Sequence, residues 1–415
     1  MLSMITSRIC IRTFVTNSKV KKVVIIGGSG FIGKYTAKAF IQDADTSIEL
    51  GARNSKIVNE LKSLGNQILP PVTSDIVSKS DVLKACQGAS IIVNLVGIMH
   101  ERPPIYTFDN VQHLGARNVA IAAKENNAQL IHISAIGADP NSNIPYAKTK
   151  ALGEIVVREI CPNAIIIRPS IVFGPEDDFF NVSYPSYPSY SGYPGYLSYP
   201  SYSSYLVIQL SRNPVIQRFV KLTKYLPFMP VFSGGKTKFQ PVYVWDVANA
   251  IVKSSSDPKF YGKTFELGGP NVYTYKEIIQ LTLNQAGIRR PIISLPWSIG
   301  MIQGFFLEKL PPNLFTITRD QIKLLRKDNI VSNDPNILTL KDLKIDPTPA
   351  HKILFMYLKE NDVIPNKRIH RSFDKYDEKI EEVEKIRSEI PKEALEKEAE
   401  YKKLHDELDK KRKIS

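Results

Sequence analysis

At 415 residues with a 43% hydrophobic share, the chain is long enough for one large α/β domain with an added lobe, or for two domains. Its net charge of +14 invites a nucleic-acid partner, but the basic residues are scattered and form no zinc-finger, RNA-binding or helix-turn-helix pattern, which leaves anionic lipid, an acidic partner or a phosphate-rich cofactor. Cys10, Cys86 and Cys161 are far apart and odd in number, and the histidines are dispersed, so neither a disulfide framework nor a metal site is expected.

The N-terminus is basic, hydroxylated and acid-free. Arg8, Arg12, Lys19, Lys21 and Lys22 precede the first acidic residue, Asp43, and Leu2, Ile5, Ile9 and Ile11 offer an apolar face. This pattern predicts a mitochondrial transit peptide over residues 1–18. Next comes Val23-Val24-Ile25-Ile26-Gly27-Gly28-Ser29-Gly30-Phe31-Ile32-Gly33. A β-branched run stops in a glycine turn, and helical patterning follows from Lys34 to Ile41. Such a strand, turn and helix start holds a dinucleotide pyrophosphate. Gly27 permits the turn, Gly30 admits phosphate close to the backbone, and Gly33 lets helix pack on strand. The spacing is Gly-x-x-Gly-x-x-Gly, which carries weight only in this context.

Beyond the turn, Ser47 to Ala52 reads as a strand, 55–64 as a helix and Asp81 to Cys86 as a short helix. Ser90 to Val96 reads as a buried strand, 114–125 as a helix, Leu130 to Ser134 as a strand and 147–159 as a helix. Ala164 to Arg168 is a strand ending at Pro169. Apolar strands alternating with helices predict an α/β fold, a doubly wound parallel sheet covered on both faces.

Residues 182–205 break the alternation. Tyr184 to Tyr205 recur every third residue among Ser, Pro and Gly, the polyproline II period, and a disordered insertion is expected. Helical patterning resumes over 206–230. Gln240 to Val244 reads as a strand, Asp246 to Ser254 as a helix, Thr264 to Leu267 as a strand and 274–287 as a helix. The apolar stretch 296–310 is too short to span a bilayer. It suits an interfacial segment touching membrane lipid, a docking face, or a buried helix. The tail 366–415 is dense in both charges, with a narrow stripe at Ile380, Val383, Ile386 and Ile390, as in a solvated helix.

Tyr146 and Lys150 stand four apart on the helix expected at 147–159, so they share a face. There a lysine touches a nicotinamide ribose and lowers the phenol pKa, which fits the tyrosine for acid–base work on a carbonyl or alcohol. Ser134 ends the preceding strand, where a hydroxyl polarises the same oxygen. At the end of the second strand stands Arg53, where an acidic residue would accept a ribose 2′-hydroxyl. Its guanidinium suits a 2′-phosphate, hence NADPH over NAD. Glu49 lies too early to reach the ribose.

These segments resemble the short-chain dehydrogenase/reductase superfamily in its extended and atypical branches, a Rossmann-like fold. Val93-Asn94-Leu95-Val96-Gly97 resembles its fourth-strand segment beside the cofactor, and Arg168-Pro169-Ser170-Ile171-Val172-Phe173-Gly174 the segment flanking the nicotinamide. Gln240 to Ala248 resembles the return to the sheet. With Phe173-Gly174-Pro175-Glu176-Asp177 and Ile317-Thr318-Arg319-Asp320-Gln321, the pattern is similar to the nucleotide-binding accessory subunits of mitochondrial respiratory complex I, over roughly residues 20–360.

The resemblance implies a tightly held NADPH (NAD and FAD as alternatives), other complex I subunits as partners, and a place on the matrix side of the inner membrane near the quinone site. It implies cofactor contacts from Gly27, Ser29, Gly30, Phe31, Ile32, Gly33, Arg53, Asp75, Ile76, Leu95, Val96, Gly97, Tyr146, Lys150, Pro169 and Val172. Asp75 and Ile76 border the adenine. Ser134, Tyr146 and Lys150 form the catalytic set, which persists unused where Tyr146 and Lys150 still bond the ribose. The expected division is a nucleotide-binding domain over 20–181 plus 238–268, and a smaller lobe over 206–237 plus 269–365. An oxidoreductase of quinone biosynthesis is the alternative function.

Overall fold

The computed structural model describes residues 20–53, 65–174, 226–285, 288–307 and 318–354. The expected transit peptide, the helix at 55–64, the tyrosine repeat and the charged tail lie outside these residues.

The N-terminal part of the described chain alternates strand and helix. Its order is β1 (Lys21–Ile26), α1 (Phe31–Phe40), β2 (Thr46–Ala52), β3 (Val72–Thr73), α2 (Lys79–Ala85), β4 (Ile91–Asn94), α3 (Gly115–Glu125), β5 (Gln129–Ile133), α4 (Pro145–Ile160) and β6 (Ile165–Pro169). After β7 (Val172–Phe173), β8 (Met229–Phe232), β9 (Lys238–Phe239) and β10 (Val242–Tyr243) come α5 (Val244–Ser256) and β11 (Thr264–Leu267). Then β12 (Tyr273–Thr274), α6 (Tyr275–Gln285), β13 (Ile292–Leu295), α7 (Trp297–Leu307) and α8 (Arg319–Leu324) follow.

One seven-stranded sheet runs β11-β6-β5-β4-β1-β2-β3, and every pairing in it is parallel. Ile25 stands opposite Leu50 on one side and Val93 on the other. Side chains alternate across a strand, so β1 feeds two cores. Val23 and Ile25 join Ala37 and Phe40 of α1 and Val247 and Ile251 of α5. Val24 and Ile26 join Val82 of α2, Val119 of α3 and Val157 of α4. All four β1 residues are fully buried or nearly so, which is why the strand is apolar throughout instead of alternating.

Between β6 and its neighbours runs a charged clasp. Arg168 donates to Glu154 of α4 at 2.9 and 2.6 Å and lies 3.5 Å from Glu266 of β11. A further core of Phe173, Met229, Val231, Phe239, Tyr275, Ile278 and Leu283 gathers the short strands and α6.

Several boundaries differ from expectation for local reasons. The strand expected over Ser90 to Val96 stops at Asn94, whose side chain accepts the Val96 N–H at 3.2 Å and bends the backbone. The helix expected at 114 is preceded by a π-helical turn, Asp109–Leu114. Val244, expected to end a strand, starts α5 instead, and Asp246 in its first turn accepts from Thr348 at 2.7 and 3.0 Å. Met229 and Pro230, expected to end a helical stretch, lie in β8 and pair with β13. The two-residue strands β7, β9 and β12 and the six-residue helix α8 carry too short a pattern to be read from sequence.

Helix α7 falls in the apolar stretch. Its glycines face inward, Gly300 against Phe232 and Gly304 against Arg319. Ile299, Ile302, Phe305 and Phe306 are exposed. No helix among the described residues is long and apolar enough to cross a membrane.

Candidate functional site

The site begins where β1 ends. Gly27 takes φ +89, a left-handed conformation that a side chain would resist. The turn is pinned by Gly27 N–H and Gly28 N–H donating to Gly51 O at 2.9 and 3.2 Å, and by Gly30 N–H donating to Gly27 O at 2.9 Å. Gly30 is the N-cap of α1 and brings no capping side chain. The first-turn N–H groups therefore await an acceptor from outside the helix, and an anion at the positive end of the dipole meets that need. Gly33 lines neither of the two cavities described below. A Cβ there would sit 2.6 Å from Gly27 O, so its role is contact between helix and turn.

Two cavities adjoin along the carboxyl ends of the strands. The first, about 340 Å³, is lined by Gly27, Ser29, Gly30 and Phe31 from the turn, by Arg53 beyond β2, by Asp75 and Ile76 beyond β3, and by Leu95, Val96 and Gly97 beyond β4. The second, about 450 Å³, is lined by Ile32, Ser134, Tyr146, Lys150, Pro169 and Val172. Leu95, Gly97 and Ile98 line both. Apart from Gly33, every residue assigned from sequence borders this double cleft. Glu49 lines neither cavity and pairs with Lys22 at 2.5 Å.

At the outer end, Arg53 lies over the Tyr106 ring, 4.8 Å from its centroid. Tyr106 donates to Asp75 at 2.6 Å, and that acceptor holds the phenol above its ordinary pKa. Tyr106 stays in place because its backbone N–H and C=O both pair with Arg102, at 3.0 and 2.7 Å. Neither Tyr106 nor Lys34, which lines the same cavity, was assigned from sequence. Lys34 immediately follows the third glycine, a position from which a helix side chain reaches its own N-terminus. Tyr106 had no such signal, since only the fold carries its loop to β2.

At the inner end, Tyr146 and Lys150 share one turn of α4. Lys150 Nζ donates to Ile133 O at 3.1 Å, and a Cβ on Gly97 would sit 3.2 Å from that ammonium. Burial lowers Lys150 to about 8, against an upward pull from Glu154. Burial also raises Tyr146 to about 12. The expected lowering of the phenol by the lysine is therefore not met in this structure, where desolvation dominates. The Ser134 hydroxyl is buried and has no partner.

Below the cleft, His132 was also missed. Asn94 Oδ1 accepts from Val96 N–H, so its amide NH₂ donates to His132 Nδ1 at 3.1 Å. The ring proton then belongs on Nε2. Burial, helped by Lys150, pushes His132 down to about 3, so it is neutral.

The glycine cradle, the uncapped start of α1 and the guanidinium at the cleft's end fit a phosphorylated dinucleotide, and Ser134 fits an acceptor beside it. Residues 23–183 match the profile of the NAD dependent epimerase/dehydratase family. Over those residues the chain is similar to that family.

Outside that family match, similarity extends along most of the chain. It is 29% identical over 343 residues to "NADH dehydrogenase [ubiquinone] 1 alpha subcomplex subunit 9, mitochondrial" of Arabidopsis thaliana, covering 79% of this chain and 74% of that protein. The Mus musculus protein of the same name is 27% identical over 397 residues, covering 88% and 85%. Among solved structures, the UDP-glucuronic acid 4-epimerase of Bacillus cereus, in complex with UDP-glucuronic acid and NAD, superposes with a TM-score of 0.52 at 16% identity, covering 82% of this chain and 99% of that one. This last likeness concerns the fold alone. The matched residues include the glycine turn, the β2 end and the Tyr146–Lys150 helix, while Phe239, Leu324 and Leu325 line the second cavity from outside them.

Proposed function

We propose that this protein is an accessory, non-catalytic subunit of mitochondrial NADH:ubiquinone oxidoreductase (complex I), holding NADPH as a structural ligand. The observation that carries the reading is the similarity along most of the chain to proteins named as alpha subcomplex subunit 9. Arg53 supports the choice of NADPH, because a 2′-phosphate beside a guanidinium makes a charge-assisted pair. Lys34 adds a second cation to the same cavity. A ligand bound only by the folded state stabilises by mass action, about 2.7 kcal/mol at a hundredfold excess over its dissociation constant, with no turnover needed.

In this reading the subunit sits on the matrix side of the inner membrane and stabilises the junction of the peripheral and membrane arms near the quinone site. The exposed Ile299, Ile302, Phe305 and Phe306 of α7 offer an apolar face to membrane lipid. Two arginines border that helix, Arg319 over Phe305 at 5.4 Å and Arg326 over Trp297 at 5.0 Å, in keeping with anionic headgroups. The test is a mild-detergent extract of mitochondria. The chain is expected to migrate with complex I and to release NADPH on denaturation. A free monomer without nucleotide overturns the reading.

A second reading rests on Ser134, Tyr146 and Lys150 lining one cavity: an NADPH-dependent oxidoreductase of the matrix, acting in quinone biosynthesis. The nicotinamide supplies a hydride when bound. Tyr146 then donates a proton to the carbonyl oxygen, Ser134 polarises that oxygen, and Lys150 holds the ribose. Tyr146→Phe separates the readings. Loss of turnover with NADPH retained supports the enzyme, and unchanged complex I assembly and quinone reduction supports the structural subunit.

A further inference from the structure

We infer that His132 is a positioning residue for the nucleotide cleft: acting through Asn94, it fixes the loop 95–97 that walls the cleft beyond β4. This rests on the reading of the first cavity as the nucleotide's. Asn94 ends β4, and His132 stands opposite it on β5 in the parallel register. The two are 1% and 2% exposed, and neither lines either cavity. Leu95, Val96 and Gly97 do line the first cavity, so any effect of His132 on a ligand passes through them.

The first link runs from Asn94 to the loop. Leu95 N–H still donates to Ile26 O at 3.0 Å, but Val96 N–H turns back to Asn94 Oδ1 at 3.2 Å. Val96 then lies against the glycine turn, where a Cβ on Gly27 would stand 3.1 Å from Val96 Cγ2. The loop's position therefore sets the space left beside the turn for a ligand. The second link runs from His132 to Asn94. An amide side chain can turn end for end, and only one orientation offers its oxygen to Val96. His132 Nδ1 lies 3.1 Å from Asn94 Nδ2 and accepts from it, which selects that orientation. An apolar side chain in the place of His132 would leave the amide free to turn.

The ring is costly to bury. His132 Nε2 carries the proton and has no hydrogen-bond partner among the described residues. An apolar side chain would avoid that cost, so what the ring contributes at this place is its Nδ1 acceptor. Burial and the Lys150 ammonium keep the ring neutral, the only state in which Nδ1 can accept. The next residue, Ile133, accepts from Lys150 Nζ at 3.1 Å, and a Cβ on Gly97 would sit 3.2 Å from that ammonium. Consecutive residues of β5 thus hold both sides of one contact: His132 holds the loop, through Asn94, and Ile133 holds the lysine that the loop meets.

The experiment compares the purified full-length chain with His132→Leu, which has no acceptor, and His132→Asn, whose amide oxygen takes the place of Nδ1. NADPH and NADH affinities are measured by calorimetry, and hydrogen exchange is followed at the Val96 N–H. His132→Leu is expected to weaken both nucleotides alike, by about tenfold, because the loop touches neither one's distinguishing group, and to speed exchange at Val96. His132→Asn is expected to restore most of both. A merely structural histidine would lower the denaturation midpoint of both variants without this split. Unchanged affinity or unchanged Val96 exchange in His132→Leu overturns the inference. So do equal losses in the two variants, or a loss confined to NADPH. The native chain gives a readout that survives a variant's failure to fold: ring nitrogen NMR shifts of His132 are expected to show a bare Nδ1 and a protonated Nε2, and a proton on Nδ1 overturns the inference. A parent protein that binds neither nucleotide refutes the nucleotide reading. Val96 exchange then decides the positioning by itself, faster exchange in His132→Leu supporting it and unchanged exchange overturning it.

Discussion

Tyr106 reaches across the cleft to donate to Asp75 at 2.6 Å, tying the loop after β4 to the loop after β3. The same ring supports the Arg53 guanidinium from below. Three residues from three loops thus form one wall, and Arg53 is oriented by stacking as well as by its own backbone.

Arg53→Ala is expected to lower NADPH affinity about tenfold to a hundredfold while changing NADH affinity little, because only the phosphorylated nucleotide pairs with the guanidinium. Tyr106→Ala is expected to act in the same direction more weakly, by freeing Arg53, and Tyr106→Phe to retain most of the preference. Titration of each variant with both nucleotides checks this; equal losses for NADPH and NADH would show that Arg53 does not read the 2′-phosphate.

Gly33→Ala places a Cβ 2.6 Å from Gly27 O and 2.8 Å from the Gly28 backbone, with no flexible side chain to yield. Helix and turn must separate, at about 1–3 kcal/mol for an overpacked contact. Denaturant midpoint and nucleotide content are expected to fall together. A variant as stable as the parent and still loaded with nucleotide refutes the contact.

His132 makes stability depend on pH. Its folded pKa of about 3 lies below the ordinary histidine value of 6.5, so between these values the unfolded chain binds the proton and the folded chain does not. Its neutral burial therefore costs nothing above about pH 6.5, and stability falls as pH drops below that, by up to about 1.4 kcal/mol per unit. His132→Gln is expected to flatten the denaturation midpoint between pH 7.5 and pH 5. A midpoint with the same slope in both proteins assigns the pH dependence elsewhere.

Arg168→Met leaves Glu154 and Glu266 facing each other without their shared cation. Removing one partner of a largely buried pair costs about 3–5 kcal/mol. Removing one of the two carboxylates with Glu154→Gln in the same chain returns the cluster to its parent net charge and is expected to recover part of the loss. Thermal denaturation of the single and double variants gives the coupling, and strictly additive losses would refute a shared cation.

Most of the parallel sheet was legible in the residues because its signals are local. Val23 to Ile26 are apolar without interruption because both faces are buried, and the glycines that follow mark a turn no other residue allows. The Tyr146–Lys150 pair was legible because four residues make one helical turn. Tyr106 and His132 were not, since each acts through a partner distant in the chain: Asp75 and Asn94. The environment of Tyr146 was misjudged for the same reason. Spacing placed a lysine beside the phenol, but the depth of burial that raises its pKa depends on what packs around α4.

Hydrophobic order and glycine placement in the chain thus determined a doubly wound sheet with a glycine turn at the end of its first strand, because strand burial and backbone freedom are written residue by residue. Tertiary structure alone decided that Tyr106 would brace Arg53, that Lys150 would turn to Ile133, and that Ser134 would face an apolar cavity without a partner. Such relationships require loops from separate βα units to meet at one edge of the sheet, and no short stretch of sequence carries that information.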